Sequence, residues 1–138
     1  MQQPVPNQQY TLRQIIIMES HLQRVAEVRI SDPNFTNNVD IQVGVGTLSE
    51  KELAVELIVN YIAKVESDDS IDYTINVKIL GIFETPTEED KKIQQFGEIN
   101  GAAILFPFLR EHVASLSMKA GLGTILLPPM NFAQRTNP

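Results

Sequence analysis

Residues 52–84 read ELAVELIVNYIAKVESDDSIDYTINVKILGIFE, and the alternation within them decides the fold class. Leu53, Val55, Leu57, Val59, Tyr61, Ala63 and Val65 share one parity, while Glu56, Asn60, Lys64 and Glu66 take the other. After the turn-forming residues 67–70, Tyr73, Ile75, Val77, Ile79 and Phe83 alternate with Asp72, Thr74, Asn76 and Lys78. A period of two with one apolar face marks a strand half-buried in a sheet. The short polar connection favours an antiparallel hairpin over a helical crossover.

Upstream, Val39, Ile41, Val43 and Val45 alternate with Asp40, Gln42, Gly44 and Gly46, and residues 48–52 are again a short turn. Strands two to four therefore form a meander. The first strand sets Leu12, Gln14, Ile16, Met18 and Leu22 against Arg13, Ile15, Ile17, Glu19 and Gln23, so it is apolar on both faces. The link over residues 25–38, with Asp32, Pro33 and Asn34, is long for a hairpin and is predicted to cross the sheet as a loop. Downstream, Thr87 is placed to cap a short helix whose positive end Glu88, Glu89 and Asp90 favour. The main helix is predicted from near Ala102 or Ala103, burying Leu105, Leu109, Val113 or His112, Leu116 and Ala120, with Lys119 and then Gly121 marking its end. Pro107 costs about 3 kcal/mol inside a helix, so the helix is expected either to start late or to kink there. The expected fold is α+β: a four-stranded antiparallel sheet with a crossover loop after strand one and a long C-terminal helix packed on one face. It fills a single domain, 1–138, with residues 1–9 flexible and 133–138 a truncated or flexible terminus.

A chain of 138 residues can hide roughly two thirds of its unfolded surface around one core. Seventeen acidic against eleven basic residues give a formal net charge of -6, and no Lys or Arg cluster offers itself to phosphates, which argues against nucleic acid. The absence of cysteine removes disulfides, thiolate catalysis and Cys-ligated zinc. No window reaches the roughly 20 apolar residues of a membrane span, and residues 1–7 have no basic signal-peptide region. A cytoplasmic protein without membrane insertion is expected.

Polar chemistry is sparse. His21 and His112 lie on unlike elements, no serine stands at a nucleophile elbow, and Gly44-Val45-Gly46 lacks the third glycine of a phosphate loop. No catalytic residue, metal site or cofactor is expected. The apolar loops are more telling. The crossover carries Leu22, Val25, Val28, Ile30 and Phe35, and the segment after the helix carries Leu122, Ile125, Leu126, Leu127, Met130 and Phe132. These side chains either close the core or wall a groove.

Residues 99–132, INGAAILFPFLREHVASLSMKAGLGTILLPPMNF, resemble the bacterial export chaperone SecB and its SecB-like relatives. Asn100, Leu105, Phe106, Pro107, Phe108, Arg110 and Glu111, then Gly121, Leu127, Pro129, Asn131 and Phe132, stand where that family has its signature. The resemblance implies a hydrophobic groove for extended, unfolded client protein, walled by the loop residues Leu22, Val25, Val28, Ile30, Phe35, Leu122, Ile125, Leu127, Met130 and Phe132, together with Phe83. It implies a dimer of dimers; since a four-stranded sheet covered by little more than one long helix leaves apolar surface over, Ile15 and Ile17 of the first strand and Phe108, His112 and Leu116 of the helix are expected to be buried between subunits. It also implies contact with the motor SecA through acidic positions. Glu19 supplies one, but Gln23 and Asn76 stand at the others, and residues 133–138 leave no room for the family's second helix and acidic tail. Two client classes follow: unfolded preproteins awaiting export, or an antitoxin or other narrow client set without SecA docking. An enzyme or lipid carrier using the apolar cleft is a further reading that no polar residue supports.

The energetics tie assembly to activity. Burying two or three client side chains contributes on the order of 3 to 9 kcal/mol, against roughly 2 to 5 kcal/mol for ordering the segment. Several linked grooves raise avidity roughly 10² to 10⁴-fold, without nucleotide and without sequence demands beyond abundant apolar residues.

Overall fold

The computed structural model describes residues 10–86 and 90–135. Four long strands, β1 (Thr11–Arg24), β2 (Phe35–Ser49), β3 (Glu52–Val65) and β4 (Ile71–Glu84), form one sheet. All its pairings are antiparallel, in the order β1-β4-β3-β2. The expected meander is present. Because β1 pairs with β4 rather than β2, residues 25–34 carry the chain from one edge of the sheet to the other, as the sequence predicts. The crossover is shorter than expected, since Phe35, Thr36, Asn37 and Asn38 already pair with β3.

Register explains where the core sits. Leu53 lies opposite Phe83, Leu57 opposite Ile79, Val59 opposite Val77 and Tyr61 opposite Ile75. Residues directly opposite share a face, so the two apolar sets merge into one buried floor. Helices cover that floor: α1 (Asp90–Phe96), a π-helical turn (Gly97–Gly101) and α2 (Ala102–Lys119), with a last turn α3 (Phe132–Arg135). Thr87, Glu88 and Glu89 lie outside the described residues.

β1 departs from strict alternation. Its register with β4 shifts between Leu12 and Gln14 and again between Ile17 and Glu19. Each shift inserts one residue and reverses parity. Leu12, Ile15, Ile17, Ser20, Leu22 and Arg24 therefore face the helices, while Gln14, Ile16, Glu19, His21 and Gln23 face away. The double-faced look of the sequence here is the trace of two bulges.

The helix does not start late. α2 continues directly from the π turn, and Pro107 lies inside it with its ring exposed. Leu105, Leu109 and Val113 are buried, so Val113 takes the core position and His112 does not; Ala102, Phe106 and Ser117 join them. Leu116 and Ala120 are half-buried. At the C-terminus the Gly121 N–H donates to the Met118 carbonyl (3.1 Å) and the Leu122 N–H to the Ser117 carbonyl (2.9 Å), with Gly121 at φ +74°. That pair of bonds is a Schellman stop, which needs glycine for its left-handed residue. Gly81 serves close approach instead, lying beneath the buried Leu105 of α2.

Candidate functional site

The segment after α2 doubles back along the helix that precedes it. The Ile125 N–H donates to Ser117 Oγ at 2.9 Å, and Ser117 Oγ donates in turn to the Ala114 carbonyl at 2.9 Å. One turn further back, Arg110 Nε donates to the Leu127 carbonyl at 2.8 Å. Phe132 then meets Phe106 edge-on, ring centroids 5.7 Å apart. Side-chain groups thus satisfy backbone that Pro128 and Pro129 keep out of any sheet. In such extended chain successive side chains point oppositely: Leu127 is 0 % exposed and Leu126 is 64 % exposed.

The residues expected to wall a groove separate into three groups. Phe83, Leu127 and Phe132 are 0 %, 0 % and 3 % exposed, closed into the core of the single chain. Phe83 has the helix-facing parity of β4 and meets Phe96 in a T-shaped pair, while the strap along α2 turns Leu127 and Phe132 inward. Leu22, Val28, Phe35, Leu122, Ile125 and Met130 are partly buried against that core. Val25 and Ile30 are exposed. Of the residues expected between subunits, Ile17 and Phe108 are exposed, Ile15 and Leu116 are partly buried, and His112 Nε2 lies 2.8 Å from Ser20 Oγ.

Next to Leu127, the strap and α2 leave an open slot of about 420 Å³ lined by Phe106, Pro107, Arg110, Glu111, Ala114 and Leu126. Its floor is apolar and its charged groups come from one turn of α2. Further apolar surface lies exposed at Ile17 and Met18 on β1 and at Ile104, Phe108 and Met118 on α2. Exposed apolar groups that join into a contiguous patch mark surfaces that bind something.

The crossover is latched by groups that sequence reasoning missed. Arg29 Nε donates to Asp72 Oδ1 at 3.0 Å, its backbone N–H to Asp72 Oδ2 at 2.7 Å, and its Nη1 to Asp68 Oδ2 at 2.6 Å. Alternation assigns Asp72 to the wet face, but the β3–β4 register shifts at this point, and Asp72 is 2 % exposed. Both carboxyls are held below the usual carboxylate range. Arg29's side-chain bonds are the main cause, followed by the Ser70 N–H for Asp68 and the Arg29 N–H for Asp72. A folded value depressed below the unfolded one contributes stability above the unfolded value, and that contribution is lost as pH falls through the lowered values. The crossover is therefore expected to loosen below about pH 4, read as accelerated amide exchange over residues 25–34 after correction for intrinsic rates. Asp72→Asn should show this looseness already at neutral pH, and unaltered exchange in that variant would refute the latch.

On the opposite face of the sheet, Lys78 Nζ lies 3.8 Å from Glu19 Oε2 and 3.9 Å from Glu56 Oε2. Gln23 and Asn76 share this face, where Asn76 Nδ2 donates to Asn60 Oδ1 at 2.6 Å. Among the described residues no cluster of His, Asp or Glu is arranged to hold a metal ion. Among the same residues no helix is long and apolar enough to cross a membrane.

The family model described as "Preprotein translocase subunit SecB" matches residues 7–135. A protein-export protein SecB of Rhodopseudomonas palustris is 30% identical over 95 residues, which cover 69% of this chain and 59% of that protein. An uncharacterised protein of Methanocaldococcus jannaschii is 39% identical over 59 residues, 43% of this chain and 38% of that protein. The chain thus matches well under two thirds of the length of these curated relatives. Among solved structures, the SecB-like chaperone Rv1957 of Mycobacterium tuberculosis, in complex with a ChAD peptide from the HigA1 antitoxin, superposes with a TM-score of 0.76. That match covers 88% of this chain and 91% of the other at 13% identity, a likeness of fold. With the sheet order, the crossover and the strapped helix in place, and a family match that spans nearly all of the residues, this chain belongs to the SecB family.

Proposed function

We propose that this chain is a chaperone that works without ATP, holding non-native polypeptide on apolar surface and keeping it competent for export. The open slot beside Leu126 carries this reading: a well-packed chain leaves Phe106, Pro107, Ala114 and Leu126 around about 420 Å³ of accessible space. An extended client side chain placed there gains roughly 1.5–3 kcal/mol, which favours holding over capture by any single site. Several copies are therefore needed. Ile15, Ile17, Phe108, His112 and Leu116 are proposed to lie between subunits of a dimer of dimers, which would bury the apolar groups of β1 and α2 and bring several client sites together. Client length along the assembly then sets affinity through avidity.

A second reading is supported by the outer sheet face. Of the three acidic positions expected at a SecA contact, Glu19 alone is acidic, and Lys78 already lies beside it; Gln23 and Asn76 are neutral. This supports a chaperone with a narrow client, such as an antitoxin, the partner class of the structural neighbour from M. tuberculosis. The genes adjoining this one separate the two readings, since a toxin and antitoxin pair belongs beside a dedicated chaperone.

The shared claim is tested by adding the purified protein to an aggregating unfolded substrate at equal subunit concentration. Suppression of light scattering is expected. Leu126→Asp should weaken it while leaving the circular dichroism unchanged, because Leu126 is exposed. Absence of any suppression by the wild-type protein would refute the chaperone reading.

A further inference from the structure

We propose that Arg24 is the positioning residue that fixes the spacing between the two loop arms of the client surface. Its guanidinium lies at the end of β1 on the helix side of the sheet. Nε donates to the Val25 carbonyl at 2.9 Å and Nη2 to the Ala26 carbonyl at 3.0 Å, both at the start of the crossover. Nη1 donates to the Ala120 carbonyl at 2.7 Å, the C-cap of α2, from which the strap departs. Beyond these anchors lie the exposed Val25 on one arm and the half-buried Leu122 and Ile125 on the other.

The chemistry calls for arginine. A planar fork presents donors in divergent, fixed directions, so one side chain can bind carbonyls of separate segments together; a lysine ammonium on a flexible stem does this far less rigidly. The positive charge also lies at the negative end of α2 and supplements Lys119 there. No other side chain of the described residues is shown bonding to the first residues of both arms. The crossover has a second anchor in Arg29, farther along its length, and the strap has Arg110 and Ser117. Removing Arg24 therefore unties the two arms from each other and leaves their near ends held only by backbone bonds, the Val25 N–H to the Asp72 carbonyl and the Schellman pair at Gly121 and Leu122, without undoing either fold. Because Arg24 meets the floor of β3 and β4 only at its end, opposite Tyr73, the loss falls on arm spacing and leaves global stability nearly untouched.

This inference rests on the chaperone reading, and its test keeps the two apart. Wild type, Arg24→Gln and Arg24→Lys are titrated against a permanently unfolded, carboxymethylated protein labelled for fluorescence anisotropy, and amide exchange is measured on the same samples without client. Arg24→Gln is expected to bind roughly tenfold more weakly, the scale of losing charge-assisted bonds. Exchange should accelerate together in residues 25–30 and 119–125, with β3 and β4 unchanged. Arg24→Lys, which keeps the charge at the helix end but loses the fork, should protect 119–125 and leave 25–30 fast, with intermediate affinity. Wild-type affinity in both variants overturns the positioning role, as does acceleration confined to one arm in Arg24→Gln. If wild type itself does not bind the unfolded protein, the chaperone reading falls and this one with it; coupled exchange in the two arms would then report only a structural clamp.

Discussion

Leu127→Asp is expected to yield no folded protein, and Leu127→Ala to cost about 2–5 kcal/mol of stability. Leu127 is wholly buried, and its carbonyl accepts the Arg110 bond that holds the strap on α2. The side chain lies in the apolar core while Arg110 is already bonded to the backbone there, and a buried charge costs several kcal/mol beyond the lost packing. The sum is comparable to the whole stability of a domain, about 5–15 kcal/mol. Urea melts followed by circular dichroism measure the alanine variant, and expression with near-native ellipticity in the aspartate variant would contradict the burial. Leu126→Asp, one residue away, is the control: it changes the same chemistry on the wet side of the same segment and should melt like wild type. The pair separates a residue that holds the protein together from one proposed to hold a client.

Gly81→Val is the second substitution expected to act strongly. A Cβ at this position would lie 2.6 Å from Leu105 Cδ2, 2.9 Å from Cδ1 and 3.1 Å from Cγ. Neither side can retreat. β4 is paired with β1 and β3 on both flanks, through Ile15 and Val55, and Leu105 is wholly buried. Overpacking of this kind costs about 1–3 kcal/mol, and a branched side chain should reach the upper end. Gly81→Ala and Leu105→Ala should each destabilise, the second by about 2–5 kcal/mol. Their combination should cost less than the sum, because each relieves the defect of the other. Additive melting energies would show that the two positions are not in contact.

How much of this was legible in the sequence depends on whether period or partner chemistry decides a position. The floor of β3 and β4 was readable because Leu53 to Val65 and Tyr73 to Phe83 alternate without interruption, and the antiparallel register follows from the short turn between them. The crossover was readable from length alone. In β1 the same rule failed, because inserted residues near Arg13 and Met18 shift parity and nothing local announces them; Ile15, Ile16 and Ile17 in a row were the only sign. Gly121 as a helix stop was legible, since a left-handed residue demands little else. The start of α2 near Ala102 was legible as well; what was not is how it tolerates Pro107, because the π turn over Gly97–Gly101 lets the helical path run into Ala102 from upstream and carry Pro107 inside it.

The candidate site was half readable for a similar reason. Apolar residues in the crossover and in residues 121–132 could be picked out, but a list of greasy positions does not say which way each points. Phe83, Leu127 and Phe132 turned inward, while Leu126 turned out. What fixes those directions is a set of polar contacts between residues far apart in the chain: Ser117 with Ile125, Arg110 with Leu127, Arg24 with Ala120, Arg29 with Asp72. Composition offers no hint of such pairs. Of the side chains that donate in these pairs, Arg110 alone was flagged, through its place in the family signature.

The strap along α2 has a consequence for how this protein can diverge. Its anchors hold backbone atoms and inward side chains, so the outward letters of the same short stretch are free to vary without endangering foldedness. If the proposed client slot is used, cargo preference and structural integrity are inscribed on alternate residues of one ribbon. A lineage can therefore alter the outer surface of the strap by small steps at positions such as Leu126, keeping its scaffold intact throughout.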